Sequence, residues 1–185
     1  MIPLVLALSG TDHHPFDRLV HWMDDAAARH PDVRFLVQHG RSTPPTVAEG
    51  TAYLEHDVMT DLMRQALVVV CHGGPGTLMD AREAGHLPLV VPRDPALGEH
   101  VDAHQQRFAR MVADAGVAVH VASVESWRRE VDQAVTDGPR PRTSAAVVTA
   151  RDAARALLAT ELDALITIPR PRLALRHRNV ESVSR

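Results

Sequence analysis

The hydrophobic pattern switches repeatedly between short unbroken apolar runs and longer stretches with helical spacing. Leu4–Leu8 is a continuous apolar run closed by Ser9-Gly10-Thr11, which predicts a buried strand followed by a turn. From Pro15 to Arg29, Phe16, Leu19, Val20 and Met23 recur at helical spacing, with Asp17 near the start of the helix they predict. Val33–Gln38 reads as a second strand, and Arg41–Gly50, with its two prolines, as a loop. A short strand at Tyr53-Leu54 precedes a helix over about Val58–Gln65. The run Leu67–Cys71 predicts a strand that passes into His72-Gly73-Gly74-Pro75-Gly76, followed by a helix from about Thr77 to Ala84. Pro88–Val91 predicts a strand, 100–115 a helix, 117–121 a strand and Glu125–Thr136 a helix. Strands alternating with helices of this length predict an α/β domain with a single doubly wound parallel sheet of about six strands. It spans 1–137; after a Gly/Pro/Arg-rich break comes an alanine-rich helix within 143–168, then a tail over 169–185.

Composition narrows the class. With 185 residues, 45% of them hydrophobic, and a net charge of −3, the chain is long enough for one packed core and too apolar for whole-chain disorder. Aromatics are only 3%, so the core must rest on Val, Leu, Ala and Met. The single cysteine, Cys71, excludes an internal disulfide and fits a reducing compartment. The opening MIPLVLALSG has no basic region and too short an apolar run for a secretory leader or a membrane span, so a cytoplasmic location is expected. All twenty basic residues are arginine; alongside abundant alanine, this reads as coding bias rather than selection for phosphate binding. The tail carries five arginines and one glutamate, leaving an acidic body that disfavours nucleic acid.

The segment Cys71–Thr77 carries the most chemistry. In a parallel sheet, ligands bind beyond the carboxyl ends of the strands, and this glycine-rich turn lies at one such end and opens a helix. Glycines admit close backbone approach, and the helix N-terminus favours an anion through its dipole and free N–H groups. A diphosphate fits, with Thr77 adding a hydroxyl donor, His72 an imidazole donor, and Asp80 a carboxylate for vicinal ribose hydroxyls. The alternative is a tight strand-to-helix turn and nothing more. It is neither a Walker A loop, since no Gly-Lys-Ser/Thr follows, nor a dinucleotide fingerprint, since the first strand ends in Ser9-Gly10-Thr11-Asp12-His13-His14.

The run HGGPGTLMDAREAGHLPLVVPR, followed by GEHVDAHQ, resembles the donor-binding C-terminal domain of GT-B glycosyltransferases of family 28. The opening LALSGTDHHPFDRLV is similar to the small subunit of split two-component glycosyltransferases, among them the cytosolic half of the dolichol-pathway N-acetylglucosaminyltransferase and bacterial exopolysaccharide counterparts. The resemblance covers about residues 1–135 and implies a Rossmann-like domain. It implies that Ser9, Gly10, Thr11, His72, Gly73, Gly74, Gly76 and Thr77 surround the donor diphosphate. Asp80 stands where the family usually has glutamate and would grip the ribose. Glu99 and His100 match an acid-amide pair on the donor sugar, and Gln105 completes the family's histidine-glutamine pair, although Ala103 replaces a common asparagine. The segment Leu54–Val58 would hold the base through its backbone.

What the resemblance implies about function is an inverting glycosyltransferase subunit that takes a UDP-sugar as donor and no other cofactor. The acceptor, lipid-linked or polysaccharide, would be held by a membrane-anchored partner that also supplies the catalytic base. If the chain acts alone, His13 is the local candidate for that base. The helix within 143–168 would pack on its own domain or dock on the partner, and the arginine-rich tail would allow peripheral contact with an anionic membrane. The alternatives are a non-catalytic nucleotide-sugar-binding module and another Rossmann-like sugar-nucleotide enzyme. Twelve histidines raise a metal reading, with His100 and His104 placed on one helix face by their i, i+4 spacing. Val101 replaces the glutamate a zincin needs, and His13-His14 beside Asp12 reads as a solvated or substrate-facing loop, so no metal is expected in the chemistry. Cys71 reads as a buried structural residue rather than a nucleophile.

Overall fold

A computed structural model describes residues 2–138; the helix within 143–168 and the tail at 169–185 lie outside the described residues. Six strands, β1 (Leu4–Leu8), β2 (Arg34–Gln38), β3 (Glu49–Thr51), β4 (Val68–Cys71), β5 (Leu89–Val90) and β6 (Val119–His120), form one sheet in the order β3-β2-β1-β4-β5-β6. Every pairing is parallel. Five α-helices alternate with them: α1 (Asp17–Arg29), α2 (His56–Gln65), α3 (Pro75–Ala84), α4 (His104–Asp114) and α5 (Val124–Asp137). This is the doubly wound, Rossmann-like architecture that the alternating pattern predicts.

A parallel sheet covered on both faces needs strands that are apolar throughout. LVLAL in β1 and VVVC in β4 meet that requirement and are buried along their whole length. Their side chains alternate between two cores. Val5, Ala7, Val68 and Val70 face Phe16, Leu19 and Met23 around α1 and Trp127 and Val131 of α5. Leu4, Leu6, Leu8, Val69 and Cys71 face Met63 of α2, Leu78 and Ala81 of α3, and Ala109 and Val112 of α4.

Several element boundaries depart from the sequence reading, α2 among them, which starts at His56 and not Val58. The edge strand lies at Glu49–Thr51 within the expected loop, not at Tyr53-Leu54. Its three residues carry no apolar signal, and pairing fixes it: Leu36 lies opposite Glu49, and Arg34 grips the Glu49 carboxylate through Nε and Nη2 at 2.8 and 2.7 Å. Helix α3 begins earlier, at Pro75, because proline at the first helical position forfeits only an N–H that would have no helical partner. Helix α4 begins later, at His104, so His100 is not helical and does not share a helix face with His104. Among the described residues, no helix is long and apolar enough to cross a membrane.

Trp127 joins α5 to α1: it is fully buried, and its indole Nε1 donates to the Trp22 carbonyl at 3.1 Å. Trp127→Ala is expected to cost about 3–5 kcal/mol, read as a lowered urea midpoint; a loss below 1 kcal/mol would show that α5 contributes little to the described domain.

Candidate functional site

In this strand order the direction of winding reverses between β1 and β4, which opens a crevice beyond their carboxyl ends. Three segments line it: the loop after β1, the glycine turn after β4, and the stretch from Pro92 to Ala103 between β5 and α4.

The glycine turn is shaped around one ring. A Cβ on Gly10, whose φ is +80°, would lie 2.5 Å from His72 Cε1, and one on Gly74 would lie 2.3 Å from His72 Nε2. The imidazole thus occupies space that only two glycines leave open. Its Nδ1 is 3.3 Å from the Leu8 carbonyl. A carbonyl only accepts, so the proton is assigned to Nδ1 and Nε2 carries the lone pair. Burial, with the Arg93 charge second, pushes the His72 pKa down to about 4 against the pull of the Leu8 bond and Asp12. At neutral pH the ring is therefore uncharged and pins the turn to β1. The expected imidazole donor to a diphosphate is not what this arrangement presents, since Nε2 would donate only in the protonated ring.

Gly74 ends the turn and Gly76 and Thr77 sit in the first helical turn, where N–H groups have no partner within the helix. Gly76 is exposed, and Thr77 and Asp80 are half-buried on the same helix. Gly73 at φ +85° packs against Gln105, its Cβ position 3.3 Å from that of Gln105. Burial pushes the Cys71 thiol up, which leaves it unreactive, as a buried structural cysteine should be. At the expected base-binding segment, Leu54 packs on the core around Met63, while Val58 is exposed.

The residues expected on the donor sugar are arranged differently from one another. Glu99 is 4% exposed, and both its oxygens are engaged: Oε1 accepts from Arg18 Nε at 2.9 Å, and Oε2 from Arg18 Nη2 at 2.7 Å and the Asp94 N–H at 2.8 Å. Gln105 is also 4% exposed and accepts the Arg93 N–H at 3.3 Å. Glu99 thus braces the loops around it through both carboxylate oxygens, and Gln105 does so through Oε1. His100 stands in the crevice mouth, its Nε2 3.5 Å from Asp12 Oδ2. His13 is mostly exposed and lies against His14, the two rings tilted by 40° with centroids 4.0 Å apart.

The sequence reading missed Arg93 and Arg18, and gave Asp12 no role beyond a solvated or substrate-facing loop. Arg93 is 1% exposed; Nη1 donates to the carbonyls of His14 (2.7 Å) and Glu99 (3.0 Å), and Nη2 to that of Ser9 (2.8 Å). Its guanidinium lies 4.8 Å from the Phe16 ring centroid. Asp12 has a pKa held down at about 2, because the His14 hydrogen bonds and the Arg93 charge outweigh the burial that opposes ionisation. Reading every arginine as coding bias concealed the one that leaves a core strand directly into the site.

The chain matches the model of the glycosyltransferase family 28 C-terminal domain over residues 5–157 and belongs to that family. Its fold is similar to the glycosyltransferase of kitacinnamycin (19% identity, TM-score 0.56, covering 73% of this chain and 35% of that one). It is also similar to the calicheamicin glycosyltransferase CalG4 (16%, 0.54, 71% and 34%) and the spinosyn forosaminyltransferase SpnP (17%, 0.53, 74% and 35%). The match thus spans about a third of the length of each of these structures. No curated protein matches the chain.

The neutral His72 sets a pH dependence. Between pH 6.5 and about 4 the unfolded chain binds a proton here that the folded chain refuses, so stability falls as the solution is acidified through this window. The full loss, about 3 kcal/mol, is reached below pH 4. His72→Gln is expected to flatten that part of the stability profile in urea titrations at stepped pH; an unchanged slope would show that His72 titrates normally.

Proposed function

We propose that this domain binds the nucleoside diphosphate sugar, a UDP-sugar, of an inverting glycosyl transfer. The observation that carries the reading is the glycine turn opening α3 at the point where the sheet reverses its winding. The N–H groups of Gly76 and Thr77 would hold the diphosphate, with Gly10 and Thr11 facing it across the crevice; Ser9, fully buried, would act by shaping that loop, and Asp80 would accept from the ribose hydroxyls. In the reaction, a base removes the proton of an acceptor hydroxyl, and the oxygen attacks the anomeric carbon from the face opposite the diphosphate. The bond from that carbon to the diphosphate oxygen breaks, and the helix terminus stabilises the charge that develops there.

The acceptor-binding half and the base would come from a partner subunit on the membrane, with a lipid-linked or polysaccharide acceptor. His13, exposed at the mouth, is the local candidate for the base. A second reading, a non-catalytic nucleotide-sugar-binding module, draws on Glu99, whose two carboxylate oxygens are both engaged within the fold.

Calorimetric titration with UDP, UDP-N-acetylglucosamine, UDP-glucose and NAD tests the site. Uridine nucleotides are expected to bind, and Asp80→Ala to weaken them about tenfold, as loss of a hydrogen bond to a charged group of about 1.5 kcal/mol requires. Binding of NAD in place of uridine nucleotides, or no loss on Asp80→Ala, would overturn the assignment.

A further inference from the structure

The loop after β1 fixes one histidine through three of its groups. Asp12 Oδ1 accepts the backbone N–H of His14 at 2.8 Å and lies 2.6 Å from its ring Nδ1, while Arg93 Nη1 donates to the His14 carbonyl at 2.7 Å. Asp12 is ionised, and an ionised carboxylate only accepts, so the proton of the neutral ring is assigned to Nδ1 and the lone pair to Nε2. That nitrogen makes no hydrogen bond among the described residues and is not one of their buried unpartnered atoms, so it reaches solvent. His13 differs on each point: its ring is 80% exposed, and its Nδ1 lies 3.9 Å from Asp12 Oδ1, beyond hydrogen-bond reach.

His100 completes the surroundings of the carboxylate. Its Nδ1 accepts the Asp102 N–H at 3.4 Å, which assigns the ring proton to Nε2, and that nitrogen lies 3.5 Å from Asp12 Oδ2. Asp12 thus faces ring N–H groups with both oxygens, and the lone pair open to the crevice mouth is that of His14. The pair stands beside the glycine turn. Gly10, two residues before Asp12, makes room for the His72 ring, and the Asp12 charge acts on that ring.

We propose that His14 is a general base carried by this chain, with Asp12 as its positioning residue, acting on the hydroxyl that attacks the donor sugar. The inference rests on the glycosyl-transfer reading and, of the sources of a base which that reading names, selects this chain, at His14 and not His13. His14 Nε2 takes the hydroxyl proton as the oxygen bonds to the anomeric carbon. The bond from that carbon to the diphosphate oxygen breaks, and its electron pair leaves with the nucleoside diphosphate. Asp12 holds the ring in the productive tautomer and stabilises the imidazolium that forms. Water at the same nitrogen is an acceptor of the same class, so the chain without a partner should slowly hydrolyse a UDP-sugar with inversion.

The test incubates the full 185-residue chain with UDP-N-acetylglucosamine and with UDP-glucose, following UDP release and, by proton NMR, the anomer first formed. The parent should release UDP faster than buffer alone and give the inverted anomer. His14→Gln should lower the rate about 100-fold while its calorimetric affinity for UDP stays within about twofold of the parent's. Nitrogen-15 NMR should find the His14 ring proton on Nδ1. Asp12→Asn should move it to Nε2 and slow hydrolysis by a similar factor, a tautomer shift that a merely structural role would not produce. This variant also keeps the test open if His14→Gln does not fold. A parent that binds no uridine nucleotide would sink the donor-site reading and this inference with it. If the parent binds UDP, four results would each overturn the base and leave the donor site standing: UDP release no faster than in buffer, His14→Gln as fast as the parent, His13→Gln slower than His14→Gln, or a tautomer unchanged by Asp12→Asn.

Discussion

Arg93 leaves β5 with its guanidinium inside the protein, and the crevice closes around it. The carbonyls of Ser9 and His14, at the two ends of the loop after β1, and of Glu99, before α4, all accept from it. Burying a cation this far costs several kcal/mol unless its donors are matched. Here Nε has no partner, so the carbonyls, the nearby Asp12 and Glu99 charges and the Phe16 ring must carry the balance. The geometry of the site therefore depends on a side chain that takes no exposed position in it. Arg18 repeats the principle one layer out, holding Glu99 and the Pro92 carbonyl and so fixing the chain on either side of Arg93.

The sheet was largely legible from the chain because its constraint is simple. Central parallel strands must be apolar on both faces, and β1 and β4 are; helices that cover one face must show an apolar stripe, and α1 does through Leu19, Val20 and Met23. The edge strand was illegible for the same reason. Glu49-Gly50-Thr51 has one neighbour, little burial, and a register held by the Arg34–Glu49 ion pair, none of which leaves a hydrophobic period.

The site was half legible. Glycines announce a backbone that must be approached closely, and Gly10 and Gly74 are required, though by the His72 ring lying between them. Side-chain roles were harder, because a polar residue near a crevice has two destinations, the ligand or the interior, and composition does not separate them. Glu99, and Gln105 through its Oε1, accept from donors on Arg18, Asp94 and Arg93 inside the fold, which sequence alone does not reveal. A buried arginine at the end of a strand is the feature that decides between these destinations, and arginine was the residue type whose abundance had drained it of signal.

The charges that remain say how an anion would be held. Arg93 spends its donors on carbonyls, His72 is neutral, and Asp12 is ionised, so the crevice around the glycine turn offers no free full positive charge from these three groups. An anion at the start of α3 would depend on backbone N–H groups and the helix dipole, each worth far less than a paired cation. Such a site would bind a diphosphate without trapping it. It would also gain strength as negative charge grows on the departing oxygen, since fixed dipoles need no rearrangement to respond. A neutral, pre-shaped turn is in that sense better suited to releasing a leaving group than a cluster of arginines would be.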